Sequence, residues 1–205
     1  MNAQEVKDST LVGEHVVLEP LTLAHAPALS IAVCDGELWQ LWFTKVPHPD
    51  DVNEYVNQAL LDEQNGEALA FAVRDRHSGQ IVGCTRICHW QQNHRRLEIG
   101  HTWYAKSVQR TAVNTECKLL LLSYAFETLA VIAVEFRTHI QNEVSRQAIC
   151  RLGANQDGIL RNHQILDNGT IRDTVVYSII DSEWDEVKTG LRNKLNVHRL
   201  QTHIN

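Results

Sequence analysis

A strand, a long helix and a second strand follow one another between residues 97 and 140, and this unit limits the fold more than any other feature of the chain. Residues 97–104 alternate, which predicts Leu97, Ile99 and Trp103 on one face and Glu98 and Thr102 on the other. Residues 115–129 carry Leu119, Leu122, Phe126 and Leu129 at helical spacing, with Lys118 and Glu127 toward the exposed side. Residues 131–140 alternate again, Ile132, Val134 and Phe136 against Glu135, Arg137 and His139. Neighbouring strands joined through a helix must run parallel, so one parallel crossover is expected inside a sheet that is otherwise antiparallel.

The flanking pattern supplies that sheet. Residues 11–20 read as a first strand and 22–33 as a helix with Thr22 at its N-cap. Residues 35–49 hold Trp39, Trp42 and Phe43 with little periodicity and end in Pro-His-Pro; residues 50–65 read as a second helix. Residues 69–74 and 81–90 form a hairpin around His77-Ser78-Gly79-Gln80. A helix over 142–152 stops at Gly153, a strand covers 171–180, and an amphipathic helix covers 182–195. The expected architecture is α+β in three layers: a mixed, mostly antiparallel sheet of about seven strands flanked by helices. No linker divides the chain, so residues 1–205 are read as one domain with its core over about 12–195.

Composition excludes several classes. At 43% hydrophobic and 21% charged, the chain can bury a core, unlike a disordered protein. No run approaches the roughly 18 apolar residues of a membrane helix. The polar start MNAQEVKDST lacks a signal-peptide core, and a cytoplasmic protein is expected. A net charge of −6, with only short basic clusters at 94–96 and 192–194, disfavours nucleic acid as a partner. Five cysteines without paired spacing argue against a disulfide framework. Cys84 and Cys88 with His89 is the sharpest metal reading, but at ~3.3 Å per residue the two thiols of one strand lie about 13 Å apart. Core thiols are expected instead, and no metal.

The most informative segment is residues 104–115, which leaves a strand and enters the long helix. A helix N-terminus offers free N–H groups and partial positive charge, a natural seat for phosphate. Thr111 and Ala112 are small enough for close approach, and Arg110 adds a charge. Taken alone, such a turn is usually a plain capped connection. Asn142 and Ser145 share one face at the start of the next helix, although capping alone explains Asn142. Glu98 lies mid-strand before the loop; a solvated glutamate is the default there, a general base the alternative.

Together these residues resemble a known family. Residues 97–104 (LEIGHTWY) with 109–114 (QRTAVN) look like the central motif of the GNAT acetyltransferase superfamily, a strand followed by Gln/Arg-x-x-Gly-x-Gly/Ala and a helix. Residues 138–145 (THIQNEVS) and 151–154 (RLGA) resemble the next motif, in which an Asn opens the helix beside pantetheine. The likeness spans about residues 12–195 and is closest to the ribosomal-protein N-terminal acetyltransferase branch. It implies acetyl-CoA as cosubstrate and a splayed central parallel pair. Trp103, Tyr104, Ala105, Gln109, Arg110, Thr111, Ala112, Val113, Asn114, Thr115 and Asn142 would bind the cofactor. Three positions depart from the pattern. Ala112 stands at the first glycine, Asn114 at the second small residue with its tolerance of left-handed backbone, and Ile149 where many members place an acidic tyrosine.

The implied reaction is direct attack of a primary amine on the thioester in a ternary complex. Glu98 would act as base, directly or through water. N–H groups over 103–105 would polarise the carbonyl, and Ser145 would stabilise the departing sulfur. Trp39, Trp42, Phe43 and Trp90 are candidates for an acceptor pocket. The acceptor is expected to be an amine-bearing peptide, such as a protein N-terminus, or alternatively a small amine or antibiotic. The protein acting on it would be a monomer or homodimer. The reading from another class is a CoA-binding module without catalysis.

Overall fold

The computed structural model describes the backbone of residues 9–202 and the side chains of 9–197; the polar stretch 1–8, read above for a leader, lies outside the described residues. The sheet has eight strands, close to the expected seven, and the predicted first strand folds back on itself. β1 (Leu11–Val12) and β2 (Val16–Pro20) form a short hairpin. Its cause is the buried Glu116, whose carboxylate accepts from the N–H groups of Glu14, His15 and Val16 at 2.8, 2.6 and 2.8 Å. Gly13 is needed there, since an added Cβ would sit 2.4 Å from the Glu116 carboxyl carbon.

Thr22 opens a short 3₁₀ turn, with its N–H donating to His25 Nδ1, before α1 (Ala26–Cys34). After another at Leu38–Gln40, a third such turn leads into α2 (Val52–Gln64). The hairpin of β3 (Ala68–Asp75) and β4 (Ile81–Gln91) is followed by β5 (Arg96–Tyr104) and α3 (Ala112–Ser123), which runs into a π turn over Tyr124–Thr128. Then come β6 (Ala133–His139), α4 (Glu143–Leu152), β7 (Asn155–Ile165), β8 (Ile171–Ile180) and α5 (Trp184–Thr202).

The strand order is β1-β2-β3-β4-β5-β6-β8-β7, with every pair antiparallel except β5–β6. That pair keeps register at Arg96–Ala133, Leu97–Val134 and Glu98–Glu135 only. Beyond Glu98 the two strands part, and the predicted splay opens between them.

Alternation along β4 shows which helices cover which face. Cys84 Sγ meets Tyr55 Oη at 3.1 Å and Arg86 pairs with Asp62, so even positions face α2. Thr85 lies 3.5 Å from Lys118 Nζ and therefore faces α3. Packing rotates α3 away from the predicted face: Val113, Cys117 and Leu121 are buried with Leu122, while Leu119 and Phe126 are only partly covered. Lys118, expected near solvent, is 5% exposed because it turns inward onto two threonine hydroxyls. Ile132, expected among the core positions of β6, is 41% exposed.

Candidate active site

A bulge shapes the site. β4 residues Cys84 and Arg86 oppose β5 residues Trp103 and Gly100, so β5 carries one extra residue between them. His101, at φ 49°, takes the left-handed turn this needs. The strands press together just beyond: a Cβ at Gly83 would lie 2.1 Å from the Trp103 carbonyl oxygen. The bulge also reverses the predicted faces. Trp103 lies with Glu98 and Gly100 on the α2 side, whereas Thr102, 2.7 Å from Thr85, lies with Leu97 and Ile99 toward α3.

Backbone donors follow from the same geometry. The Ala105 N–H donates to the Val82 carbonyl at 2.8 Å, so that group is already engaged by β4. Successive N–H groups of a strand point to opposite edges. The Tyr104 N–H therefore points away from β4, into the gap that β6 has left. Of the three donors expected over 103–105, Tyr104 is the one aimed at the splay.

The loop after β5 is held from within. Gln109 Nε2 donates to the Tyr104 carbonyl at 3.0 Å. Thr111 caps α3: its hydroxyl accepts from the Val113 N–H at 3.3 Å and donates to the Val108 carbonyl at 2.7 Å. Left-handed backbone falls on Arg110, at φ 62°, and not on Asn114, whose tolerance of it is not used. Ala112, Val113, Asn114 and Thr115 form the first turn of α3, where the N–H groups of Ala112 and Asn114 have no intrahelical acceptor and that of Val113 goes to the Thr111 hydroxyl. Ala112 has ordinary helical backbone, so no glycine is required. Across the splay, Asn142 caps α4 by accepting the Ser145 N–H at 3.1 Å. The Ser145 hydroxyl is half-exposed and makes no hydrogen bond to the described residues. Ile149 is buried in the core, so no acidic side chain stands there.

Glu98 is the last residue of β5 to pair with β6, and it is buried, not solvated. Its Oε2 lies 2.9 Å from His89 Nδ1 and 3.5 Å from Arg137 Nε. Arg137 also donates to Glu135, which Arg96 reaches as well. Ligand atoms of Cys88, His89 and Glu98 fall within 4.8 Å of one another, a grouping that spacing along one strand missed because Glu98 comes from the next. Two features of that grouping oppose a metal ion. The Arg137 guanidinium already holds the carboxylate, and burial with the Glu98 charge pushes the Cys88 thiol up to about 12.

The segment over 35–48 roofs the splay on this face. Its start is tied to the loop between β5 and α3: the Ser107 N–H donates to Asp35 Oδ2 and the Lys106 N–H to the Asp35 carbonyl, both at 2.9 Å. Hydrogen bonds from Ser107 hold the Asp35 carboxyl below the usual carboxylate range. Further along, Trp42 and Phe43 pack on His139, with ring centroids 5.1 and 5.9 Å away. Lys45 adds its charge beside His101. Trp39 instead meets His48 edge to face, and Trp90 lines a small cavity with Leu69 and Ile87, away from the splay. His101 stands at the open mouth, where the packed protein and the cations Arg86 and Lys45 hold its imidazole down to about 4. Arg86 is fixed by Asp62 at 3.0 Å and by the Tyr55 ring, 4.7 Å from its guanidinium. Past Glu135 and Arg137 an open concavity of about 860 Å³ continues over β6, β7 and β8. Arg137 and His139 were not singled out in the sequence. The available signal was three polar residues, Glu135, Arg137 and His139, on one face of a central strand.

A capped helix end, a splayed parallel pair and an Asn-opened helix are thus brought to one cleft. The sequence pattern of the acetyltransferase (GNAT) domain family matches residues 15–155. The chain belongs to the GNAT family. As a GNAT N-acetyltransferase it is similar to the Bacillus subtilis (strain 168) protein named "Putative ribosomal N-acetyltransferase YdaF", at 26% identity over 180 residues, 86% of this chain and 97% of that one. The structure of a GCN5-related N-acetyltransferase from Brucella melitensis superposes with a TM-score of 0.84 at 28% identity, covering 92% of this chain and 86% of that one. RimL, a ribosomal L7/L12 alpha-N-protein acetyltransferase, shares the fold at 17% identity and a TM-score of 0.74, over 84% of this chain and 94% of that one. The family uses acetyl-CoA, and no described helix is long and apolar enough to cross a membrane.

Proposed function

We propose that this GNAT enzyme transfers the acetyl group of acetyl-CoA to the primary amine of a peptide N-terminus, by direct attack in a ternary complex. The observation that carries this reading is the splay itself, a gap flanked by the Tyr104 N–H, the α3 N-terminus and the Asn142 cap. The free N–H groups of the first α3 turn and Arg110 suit the pyrophosphate, which needs donors and positive charge. Asn142 stands where the pantetheine arm would pass. The Tyr104 N–H is aimed to polarise the thioester carbonyl as negative charge develops on it. An ammonium has no lone pair with which to attack, so Glu98 takes the proton, directly or through water. Ser145, with a hydroxyl that has no partner among the described residues, donates a hydrogen bond to the departing sulfur. A ribosomal acceptor is supported by the name of the Bacillus relative, and by nothing in the site itself.

The test is a panel of acceptors with acetyl-CoA, read by release of the free thiol and by mass of the product. Ser- and Ala-led peptides should be acetylated on the α-amine. If an aminoglycoside or a polyamine turns over and the peptides do not, the acceptor is a small amine. Thermal stabilisation by CoA without thiol release from any amine would reduce the protein to a binding module.

A further inference from the structure

His139 is 3% exposed, yet its Nε2 has no hydrogen-bond partner. Its other ring nitrogen accepts the Gln141 N–H at 3.0 Å, and accepting there fixes the neutral tautomer with its proton on Nε2. A buried donor is thus left unpaired, an arrangement that costs stability unless something completes it. Arg172, on the next strand, is similarly incomplete. His139 is in register with Thr174 of β8, and Arg172 sits two residues from Thr174 on the same face. Arg172 uses its Nε on the Thr174 hydroxyl at 2.9 Å; its Nη groups have no partner among the described residues.

Other charges near this pair are already engaged. The Glu98 charge acts on Arg172 and that of Asp173 on His139, but neither carboxylate hydrogen-bonds them: Glu98 is held by His89 and Arg137, Glu135 by Arg137 and Arg96, and Asp173 accepts the Asn162 N–H at 2.7 Å. Trp42 and Phe43 cover His139, and Lys45 on the same segment adds positive charge beside His101. The roofed mouth therefore presents two unpaired donors, one of them cationic, under an aromatic wall that limits access of water. That is a seat for an anion with planar oxygens.

We infer that His139 Nε2 and the Arg172 guanidinium bind a carboxylate carried by the acceptor a few bonds from its amine. The inference rests on the acetyl-transfer reading above and narrows it: favoured acceptors are acidic near the reacting nitrogen, and polycations are excluded. The same chemistry is offered by an acidic second residue of a peptide and by a free amino acid or dipeptide, so the two sources need separate arms.

The experiment measures kcat/KM with amidated Ser-Glu-Ala-Ala, Ser-Gln-Ala-Ala and Ser-Lys-Ala-Ala, with free Ser-Glu, and with spermidine. The Glu peptide should exceed the Gln peptide about tenfold, the scale of one charge-assisted contact. The Lys peptide should fall below both, and spermidine should be inert. Free Ser-Glu outpacing the amidated Glu peptide would assign the site to small acids and support the inference equally. In Arg172→Gln the ratio of Glu to Gln peptide should collapse toward one, with KM for acetyl-CoA unchanged. Arg172→Lys, which keeps the charge, should recover part of the ratio and guards against a merely unfolded variant. Equal rates on the Glu and Gln peptides in the parent overturn the inference while leaving acetyl transfer intact. A rise in KM for acetyl-CoA with the peptide ratio preserved overturns it too, by placing the anion on the cofactor. No transfer to any amine fells both readings.

Discussion

Arg137 Nε lies 3.5 Å from Glu98 Oε2, at the last register pair before the parallel strands separate. The contact puts a guanidinium and a carboxylate at the apex of the splay. Glu98→Gln keeps the shape and removes the proton acceptor. kcat/KM should fall roughly 10²-fold, measured with a confirmed acceptor. An unchanged rate and pH profile would move the base elsewhere, to solvent water first.

Arg110 holds left-handed backbone in the loop that leads into α3. Reversal of its charge in Arg110→Glu sets an anion against the pyrophosphate, and CoA affinity should weaken by about tenfold or more. Titration calorimetry decides it. Equal affinity in the variant would place the pyrophosphate away from α3.

Ser145→Ala should lower kcat and leave CoA affinity close to parental, because a hydrogen bond to sulfur strengthens only as charge builds there. The expected loss is about 1–3 kcal/mol of transition-state stabilisation. A parental kcat makes Ser145 a surface hydroxyl of α4 and nothing more.

Lys118 gives a pH prediction. Burial pulls its ammonium from 10.5 down to about 8 in the folded protein. Between those values the unfolded chain holds a proton that the folded chain has lost, so this group's contribution to stability rises with pH through that window. Below about 8 the buried charge carries its full cost. Lys118→Met removes the charge, and Thr85 and Thr102 still hydrogen-bond each other at 2.7 Å. The variant should melt higher than the parent at pH 7, and its advantage should shrink by pH 10. A lower melting temperature at pH 7 with the parental pH dependence would refute it.

Most of the framework was legible because it rests on local pattern. The 97–140 unit, the β3–β4 hairpin and the Asn142 cap each carry their own alternation or capping residue. What escaped depends on contacts remote in sequence. Glu116 breaks the first strand from about a hundred residues away. The bulge at His101 turns Trp103 and Thr102 to the opposite faces, and nothing in a run such as GHTWY marks one extra residue. Lys118 was misplaced because helical spacing gives a period but not which stripe the sheet selects. At the candidate site, Glu98 and the loop over 104–115 were named from motif order, whereas His139 and Arg172 share a face only because β8 lies beside β6.

That placement of β8 bears on how the chain is made. Of the strands of this sheet, the one synthesised after all the others, β8, is an interior one, seated between β6 and β7. Until residue 180 has emerged, both of those strands present an unpaired edge, and the roof of Trp42 and Phe43 rests on a β6 still open on one side. A nascent or prematurely ended chain is thus not a shortened enzyme but a sheet with two sticky borders, open to edge-to-edge association. Stop codons before residue 171 should accordingly give aggregates where those within α5 give folded, less stable protein.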